Sequence, residues 1–405
     1  MKITKATIFF PRKGVAKTVG VRIYTDEGIY GDGEVAVINA CNATFGTLKD
    51  LVPLIIGRNP LDTEAIWDDL YKRTFYGQNG GQAFFSGLGA IDIALWDIKG
   101  KYFNVPLYVL LGGKKRSRLR TYASQLQIAW TYDPGNVKVS HEGGNPNSTF
   151  NQMFASKPEQ FAANAKYCVE ELGCDCVKID FFNNDAEGRP LTEVDRNGLL
   201  KPSLLNMVEE RVAAVREAIG PNVDLIVENH CYTDAQAAIQ IANTIDKYNI
   251  LFFEEPCTPS PRMSKYVRDN IKIPIANGER IISRWEYANY FQDNSIQVIQ
   301  PDMGNNGGIT ETKKICDMAY VYDVGVQIHV AGSHLMTPAA LHLEAVLPNF
   351  VIHEHHVMSQ WSDYIAFTDR TYNPVNGYFE IPELPGVGIE WSDYTLHCDE
   401  QVTIN

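Results

Sequence analysis

The sequence predicts an α/β protein: a (β/α)8-type barrel with an N-terminal α+β capping domain that the C-terminal segment completes. Three observations predict it. Residues 1 to about 115 read as strands followed by helices. From about residue 118, short apolar runs alternate with helical stretches, the grammar of βαβ units and a parallel sheet. After about residue 365, short turn-rich strands return. The boundaries this implies are a capping (lid) domain over 1–117, a barrel over 118–365, and a segment 366–405 that packs back on the lid.

Within the lid, the stretch TVGVRIYTDEGIYGDGE (18–34) alternates, turns at Asp26-Glu27-Gly28 and alternates again, which predicts a hairpin. Leu88, Ile91, Leu95 and Ile98 then recur at helical spacing, and Gly112-Gly113 closes the region as a C-cap. In the barrel, apolar runs fall at 120–125, 176–180, 224–229, 250–255, 273–279, 296–302, 324–330 and 350–355. Eight runs suit a closed barrel. Two polar inserts, 131–150 and 181–200, follow barrel strands, on the side where barrel active sites lie.

The net charge is −13, which argues against nucleic acid or an anionic membrane as partner. A site for an anionic substrate therefore needs a local positive source. No apolar run reaches the roughly 18–20 residues that span a bilayer, and the N-terminus is too strand-like for a signal peptide. A cytoplasmic protein is expected. The eight cysteines lack paired CxxC spacing and read as reduced, buried thiols.

The strand ends carry the chemistry. Lys178 and Asp180, Glu228 and His230, Glu254 and Glu255, Glu279, Asp302, His329 and Glu354 all sit where a run ends. The intervals from Glu228 through Glu254, Glu279, Asp302 and His329 to Glu354 are 26, 25, 23, 27 and 25, one βα unit each. One carboxylate at a strand end is ordinarily a surface charge. Six successive strands that each end in an ionisable residue describe a ring around one cavity. Converging carboxylates repel and are costly to bury bare, so a cation belongs among them. Oxygen ligands from three neighbouring strands, Glu228, Glu254 and Glu279, suit Mg²⁺. A zinc site would need His230, His329 or the HEHH run (353–356) to converge on one point.

These motifs resemble the mandelate-racemase-like branch of the enolase superfamily, and within it the acid sugar dehydratases of the gluconate and galactonate type. GLGAIDIALWDIKGKYFNVPLYVLLGG (87–113) resembles the family's capping-domain helices. VKID, VENH, FFEEP, NGERI, IQPDMGNNGGITE, IHV and LPGVGIEW follow in the family's order, over nearly the whole chain. The resemblance implies Glu228, Glu254 and Glu279 as Mg²⁺ ligands, His230 as the histidine of galactonate-type dehydratases, Asp302–His329 as a dyad, and Glu354 as a substrate-facing carboxylate. Two positions depart from the pattern. The first ligand is Glu where many relatives have Asp, and Lys178-Ile179-Asp180 lacks the second lysine that racemases use as a base.

The chemistry implied is removal of a weakly acidic proton alpha to a carboxylate, which needs charge stabilisation as the transition state forms. His230 is expected to take the C2 proton, and His329, oriented by Asp302, to protonate the departing 3-hydroxyl. The product is a 2-keto-3-deoxy acid. Lys178 would face the substrate carboxylate, and Asp180, Glu255, Tyr122 and Gln125 complete the expected substrate contacts. Lid loops 33–46 and 76–82 would close over a small acid sugar. A homo-oligomer is expected. Racemisation on the same scaffold and a catalytically silent binding protein are the alternatives.

Overall fold

A computed structural model of the chain describes residues 1–14, 16–35, 40–78, 80–128 and 155–405; the insert predicted at 131–150 and parts of both lid loops lie outside them. In the lid, β1 (Ile3–Phe9), β2 (Val19–Thr25) and β3 (Tyr30–Val35) pair antiparallel in that order. Helices α1 (Cys41–Leu51), α2 (Thr63–Arg73) and α3 (Gly81–Phe103) follow. The long apolar α3 lies directly on β3. Gly33 permits this, since a Cβ there would stand 1.9 Å from the Ala90 carbonyl oxygen.

Eight strands then form a parallel sheet: β4 (Arg118–Ser124), β5 (Cys176–Asp180), β6 (Asp224–Glu228), β7 (Ile250–Glu254), β8 (Ile275–Asn277), β9 (Val298–Ile299), β10 (Gly325–Val326) and β11 (His353–His356). Each pairs with the next up to β10, and β11 pairs back to β4. The last gap closes through Val326 N–H to the Asn349 carbonyl and Val351 N–H to the Val326 carbonyl, both 2.8 Å. Between strands run α4 (Pro158–Glu170), α5 (Pro202–Ile219), α6 (Ala235–Ile245), α7 (Pro261–Asn270), α8 (Ser283–Gln292), α9 (Gly308–Val321) and α10 (Met336–Val346). After β11 only a turn of 3₁₀ helix, Val357–Gln360, and the short Ser362–Ile365 stand where an eighth long helix was expected.

The barrel interior explains where the polar ring sits. Tyr122, Cys176, Ile226, Phe252, Ala276, Val298 and Ile352 form one buried apolar plug, six of them on six strands and Ile352 immediately before β11. Side chains two apart on a strand share a face. The next inward residue above Cys176 is therefore Lys178, above Ile226 is Glu228, above Phe252 is Glu254, and above Ile352 is Glu354. The plug seals the floor and the ionisable residues line the cavity above it.

The C-terminal segment joins both parts. β12 (Tyr378–Glu380) pairs antiparallel with β4, and β13 (Gln401–Ile404) pairs with β1. No helix among the described residues is long and apolar enough to cross a membrane. The described cysteines form no disulfide.

The lid is clamped to the barrel by buried polar contacts. Asp92 on α3 accepts the Thr310 N–H at 2.9 Å and the Thr310 hydroxyl at 2.6 Å, at the start of α9. Trp67 Nε1–H donates to the Gly307 carbonyl at 2.8 Å, and Arg284 pairs with buried Glu311 while its guanidinium faces the rings of Trp67 and Trp285. Glu34 on β3 accepts the Ser333 N–H at 2.8 Å and its hydroxyl at 2.7 Å. Asp92→Ala strands buried donors at the head of α9. It is expected to cost about 1–3 kcal/mol, read as a lower midpoint in urea unfolding, and an unchanged midpoint would remove Asp92 from the joint.

Candidate active site

At the centre of the ring lies the Lys178 ammonium. Its Nζ is 2.6 Å from Glu254 Oε1, 2.7 Å from Glu354 Oε1 and 3.1 Å from Glu228 Oε2. The register of β6 and β7 sets Glu228 beside Glu254, and that of β5 and β6 sets Asp180 beside Glu228. All four ion-paired residues are buried. Burial alone would lower the Lys178 pKa; Glu254 and Glu354 outweigh it and hold the ammonium charged. Burial and the neighbouring Glu228 push the Glu254 carboxyl well up, and its Oε2 has no hydrogen-bond partner among the described residues.

Two histidines face each other across this ring, at the ends of the third and seventh of eight strands. His230 Nδ1 lies 2.8 Å from Asp180 Oδ2. His329 Nδ1 lies 2.6 Å from Asp302 Oδ2. Each imidazole is therefore held through Nδ1 by an aspartate, which leaves Nε2 for other partners. His329 Nε2 contacts Glu279 Oε2 at 2.7 Å. Burial opposes the charge on His329, but Glu279, Glu354 and Asp302 prevail and raise its pKa well above the usual imidazole range. Burial opposes the charge on His230 too. Glu228, Asp180 and Glu279 overcome it and raise its pKa to about 9.

His230 does not reach the ring by strand alternation. β6 ends at Glu228, and both His230 (φ 45°) and Cys231 (φ 56°) are left-handed. The Asn229 and His230 N–H groups fold back onto Glu228 Oε1, at 3.0 and 2.9 Å. Asn229 ties the turn to the next loop through Thr233 Oγ1 (2.7 Å) and the Pro256 carbonyl (2.8 Å).

The remaining expected contacts divide. Glu354 faces the cavity, bound also by the Val330 N–H at 2.9 Å. Asp180 is taken up by His230 and by the Phe182 N–H, so it orients an imidazole rather than meeting a substrate directly. Glu255 is buried at φ 45° and paired with Arg280, which also pairs with Glu279. Tyr122 is a correction. β4 runs on to Ser124, so Tyr122 belongs to the plug, fully buried with Lys178 Nζ 5.2 Å from its ring centre. Gln125 follows β4 at φ 71° and accepts from Gln127 Nε2 at 3.3 Å. His356 was missed. It shares its strand face with Glu354, two residues before, and its Nε2 lies 3.1 Å from Glu354 Oε1. Period-two alternation along HEHH was the available signal.

The donors of His329, Glu354 and His356 all lie within 4.8 Å of one another, a cluster able to hold a metal ion. Of the carboxylates expected as the metal site, Glu228 and Glu254 stand together on Lys178, while Glu279 is held by Arg280 and His329. Their chemistry nevertheless fits a hard divalent cation. All three are oxygen donors at the ends of adjacent strands, and the buried Glu254 Oε2 has no hydrogen-bond partner among the described residues.

Residues 7–112 match the mandelate racemase / muconate lactonizing enzyme N-terminal domain, and residues 160–395 match the enolase C-terminal domain-like family. The chain belongs to the enolase superfamily. Chains similar to it include a D-galactonate dehydratase of Pectobacterium atrosepticum, 30% identical over 96% of this chain and 92% of that one. A D-xylonate dehydratase of Haloferax volcanii is 30% identical over 91% and 82%. A crystal structure of an enolase-superfamily member from Salmonella Typhimurium superposes with a TM-score of 0.91 at 42% identity, covering 100% of both chains. The dehydratases among these are by definition hydro-lyases, and this chain is an enzyme of that kind.

Asp180 is among the groups that raise His230, so Asp180→Asn is expected to lower the His230 pKa below about 9 in metal-free protein. Titration of the imidazole C–H resonances checks this; an unmoved midpoint breaks the Asp180–His230 dyad.

Proposed function

We propose that this enzyme is a Mg²⁺-dependent dehydratase of an acid sugar, an aldonate of the gluconate, galactonate or mannonate kind, that yields a 2-keto-3-deoxy acid. The observation that carries the reading is the pair of Asp-backed imidazoles facing one another across a carboxylate ring with a buried lysine at its centre. The names of the relatives support it.

In this reading the substrate lies between the two histidines with its carboxylate toward Lys178. His230 Nε2 takes the C2 proton, and Asp180 at Nδ1 stabilises the imidazolium that forms. His329, charged and held by Asp302, gives a proton to the 3-hydroxyl. The C3–O bond breaks, water leaves, and the resulting enol tautomerises to the 2-keto acid. A divalent cation held by Glu228, Glu254 and Glu279 would offset the negative charge that develops on the substrate carboxylate. The plug keeps bulk water from below, which strengthens each of these charge interactions.

Two opposed imidazoles also suit inversion at C2, so epimerisation is the second reading. The same scaffold serves a 3,6-anhydro-D-galactonate cycloisomerase of Zobellia galactanivorans, similar at a TM-score of 0.77, 25% identity and 97% of each chain. The absence of a lysine at Asp180 favours dehydration. A panel of hexonates and pentonates with Mg²⁺ should give a 2-keto-3-deoxy product with at least one member. C2 deuterium exchange without that product on every member would transfer the function to epimerisation. For the dehydrated substrate, His230→Asn is expected to lower kcat by roughly 10²–10⁴-fold while substrate binding persists. Near-normal turnover in that variant would take His230 out of the mechanism.

A further inference from the structure

The insert that follows β5, residues 181–200, is anchored at both ends. At its root the fully buried Arg211 donates to the carbonyls of Phe181 (2.6 Å), Asn184 (2.9 Å) and Asp185 (3.0 Å). At its far end the Gly198 N–H donates to Asp234 Oδ2 at 2.7 Å, and the Asp234 N–H donates to Asn197 Oδ1 at 2.9 Å. Asp234 also caps α6 through the Ala237 N–H at 2.8 Å. The insert is thus tied to the helix that follows the His230 turn. Between the anchors, the turn Glu193–Arg196 carries Arg196 over the ring of Tyr232, with its guanidinium carbon 4.5 Å from the ring centre. The Tyr232 ring centre in turn lies 5.6 Å from that of His230.

Arg196 differs from the other cations of the cavity. Lys178 and Arg280 are each bound by carboxylates. Arg196 makes no ion pair among the described residues. Its one side-chain hydrogen bond there, Nη2 to the Asn183 carbonyl, is 3.2 Å, and its Nε is buried without a partner. The adjacent Asp195 is committed to the Thr192 N–H and hydroxyl, at 3.1 and 2.7 Å. The Asn183 Nδ2 is a second buried donor without a hydrogen-bond partner among the described residues. Unmade hydrogen bonds of this kind are costly unless a ligand completes them. Tyr232, partly exposed beside them, offers an aromatic face.

We propose that Arg196 and Tyr232 form the subsite for the far end of the substrate, the hydroxyl-bearing carbons beyond C3, and so set the chain length the enzyme accepts. The proposal rests on the acid sugar reading above. With C2 at His230 and carbon–carbon bonds of about 1.5 Å, a five- or six-carbon acid directed toward the insert runs beneath Tyr232 to Arg196. The tyrosine covers the C–H face of the chain, and the guanidinium donates to its terminal hydroxyl oxygens. A three-carbon acid ends before either residue.

The test compares D-galactonate with D-glycerate on the full-length Mg²⁺-loaded enzyme and on Arg196→Met and Arg196→Lys, by kcat and KM for turnover and by calorimetric binding. Arg196→Met is expected to raise KM and the dissociation constant for the six-carbon acid roughly 10- to 100-fold, the range of a lost hydrogen bond to a charged group. Values for the three-carbon acid should stay unchanged, and Arg196→Lys should recover part of the loss. An equal loss for both acids, or none for either, would overturn the subsite. Should neither acid be dehydrated while binding still depends on Arg196 and on chain length, the dehydratase reading fails and the subsite stands. Binding that ignores chain length in the unmodified enzyme rejects the subsite whatever the turnover.

Discussion

The buried ammonium of Lys178 is the charge on which the cavity depends. Three carboxylates from three other strands approach it within about 3 Å. Without a cation, a buried carboxylate cluster would protonate or spread, because the desolvation of each charge exceeds what imperfect pairing returns. Lys178 can sit there because β5 turns its alternate side chains inward, directly above the apolar plug. One lysine does not neutralise the ring. Glu254 remains pushed toward its protonated form, and Glu279 turns to Arg280 and His329 instead. The site is arranged for more positive charge than the protein itself supplies.

The same constraint orders the two dyads. Both histidines carry raised pKa values because acids surround them, and each is fixed in orientation by an aspartate at Nδ1. A cation that takes up the glutamates would remove part of what raises both imidazoles, while Asp180 and Asp302 keep hold of their Nδ1 atoms. Binding and acid–base function are coupled in this way through charge alone. The lid contributes rigidity from above: Asp92, Glu34 and Trp67 tie it to the start of α9, to the loop after His329 and to Arg284 on α8, so the lid and the catalytic loops share one buried polar joint.

Much of this was legible in the sequence. The eight apolar runs gave the strands, and the near-constant spacing from Glu228 to Glu354 placed six ionisable residues on one ring, because a βα unit is a physical repeat. What could not be read depended on register and on local backbone. The register of β5 against β6 sets Asp180 beside Glu228, within reach of the turn that brings His230 Nδ1 to it, and no pattern within either strand reveals it. His230 reaches the ring through a left-handed turn, where alternation predicts nothing. Tyr122 reads as the end of the first barrel strand, but β4 continues two residues beyond it, which lowers it one layer into the plug. His356, named in the sequence only within the HEHH run, joins Glu354 because side chains two apart on β11 share a face. Arg196 acts through an insert whose folding depends on long-range anchors at Arg211 and Asp234.

The central claim is that the ring of glutamates exists to hold a divalent cation beside the two dyads. Calorimetric titration of metal-free enzyme with Mg²⁺, repeated on Glu254→Gln, tests it most directly. The account predicts a single binding site in the unmodified enzyme and a large loss of affinity in the variant. Absence of binding, or an affinity that Glu254→Gln leaves unchanged, would contradict it.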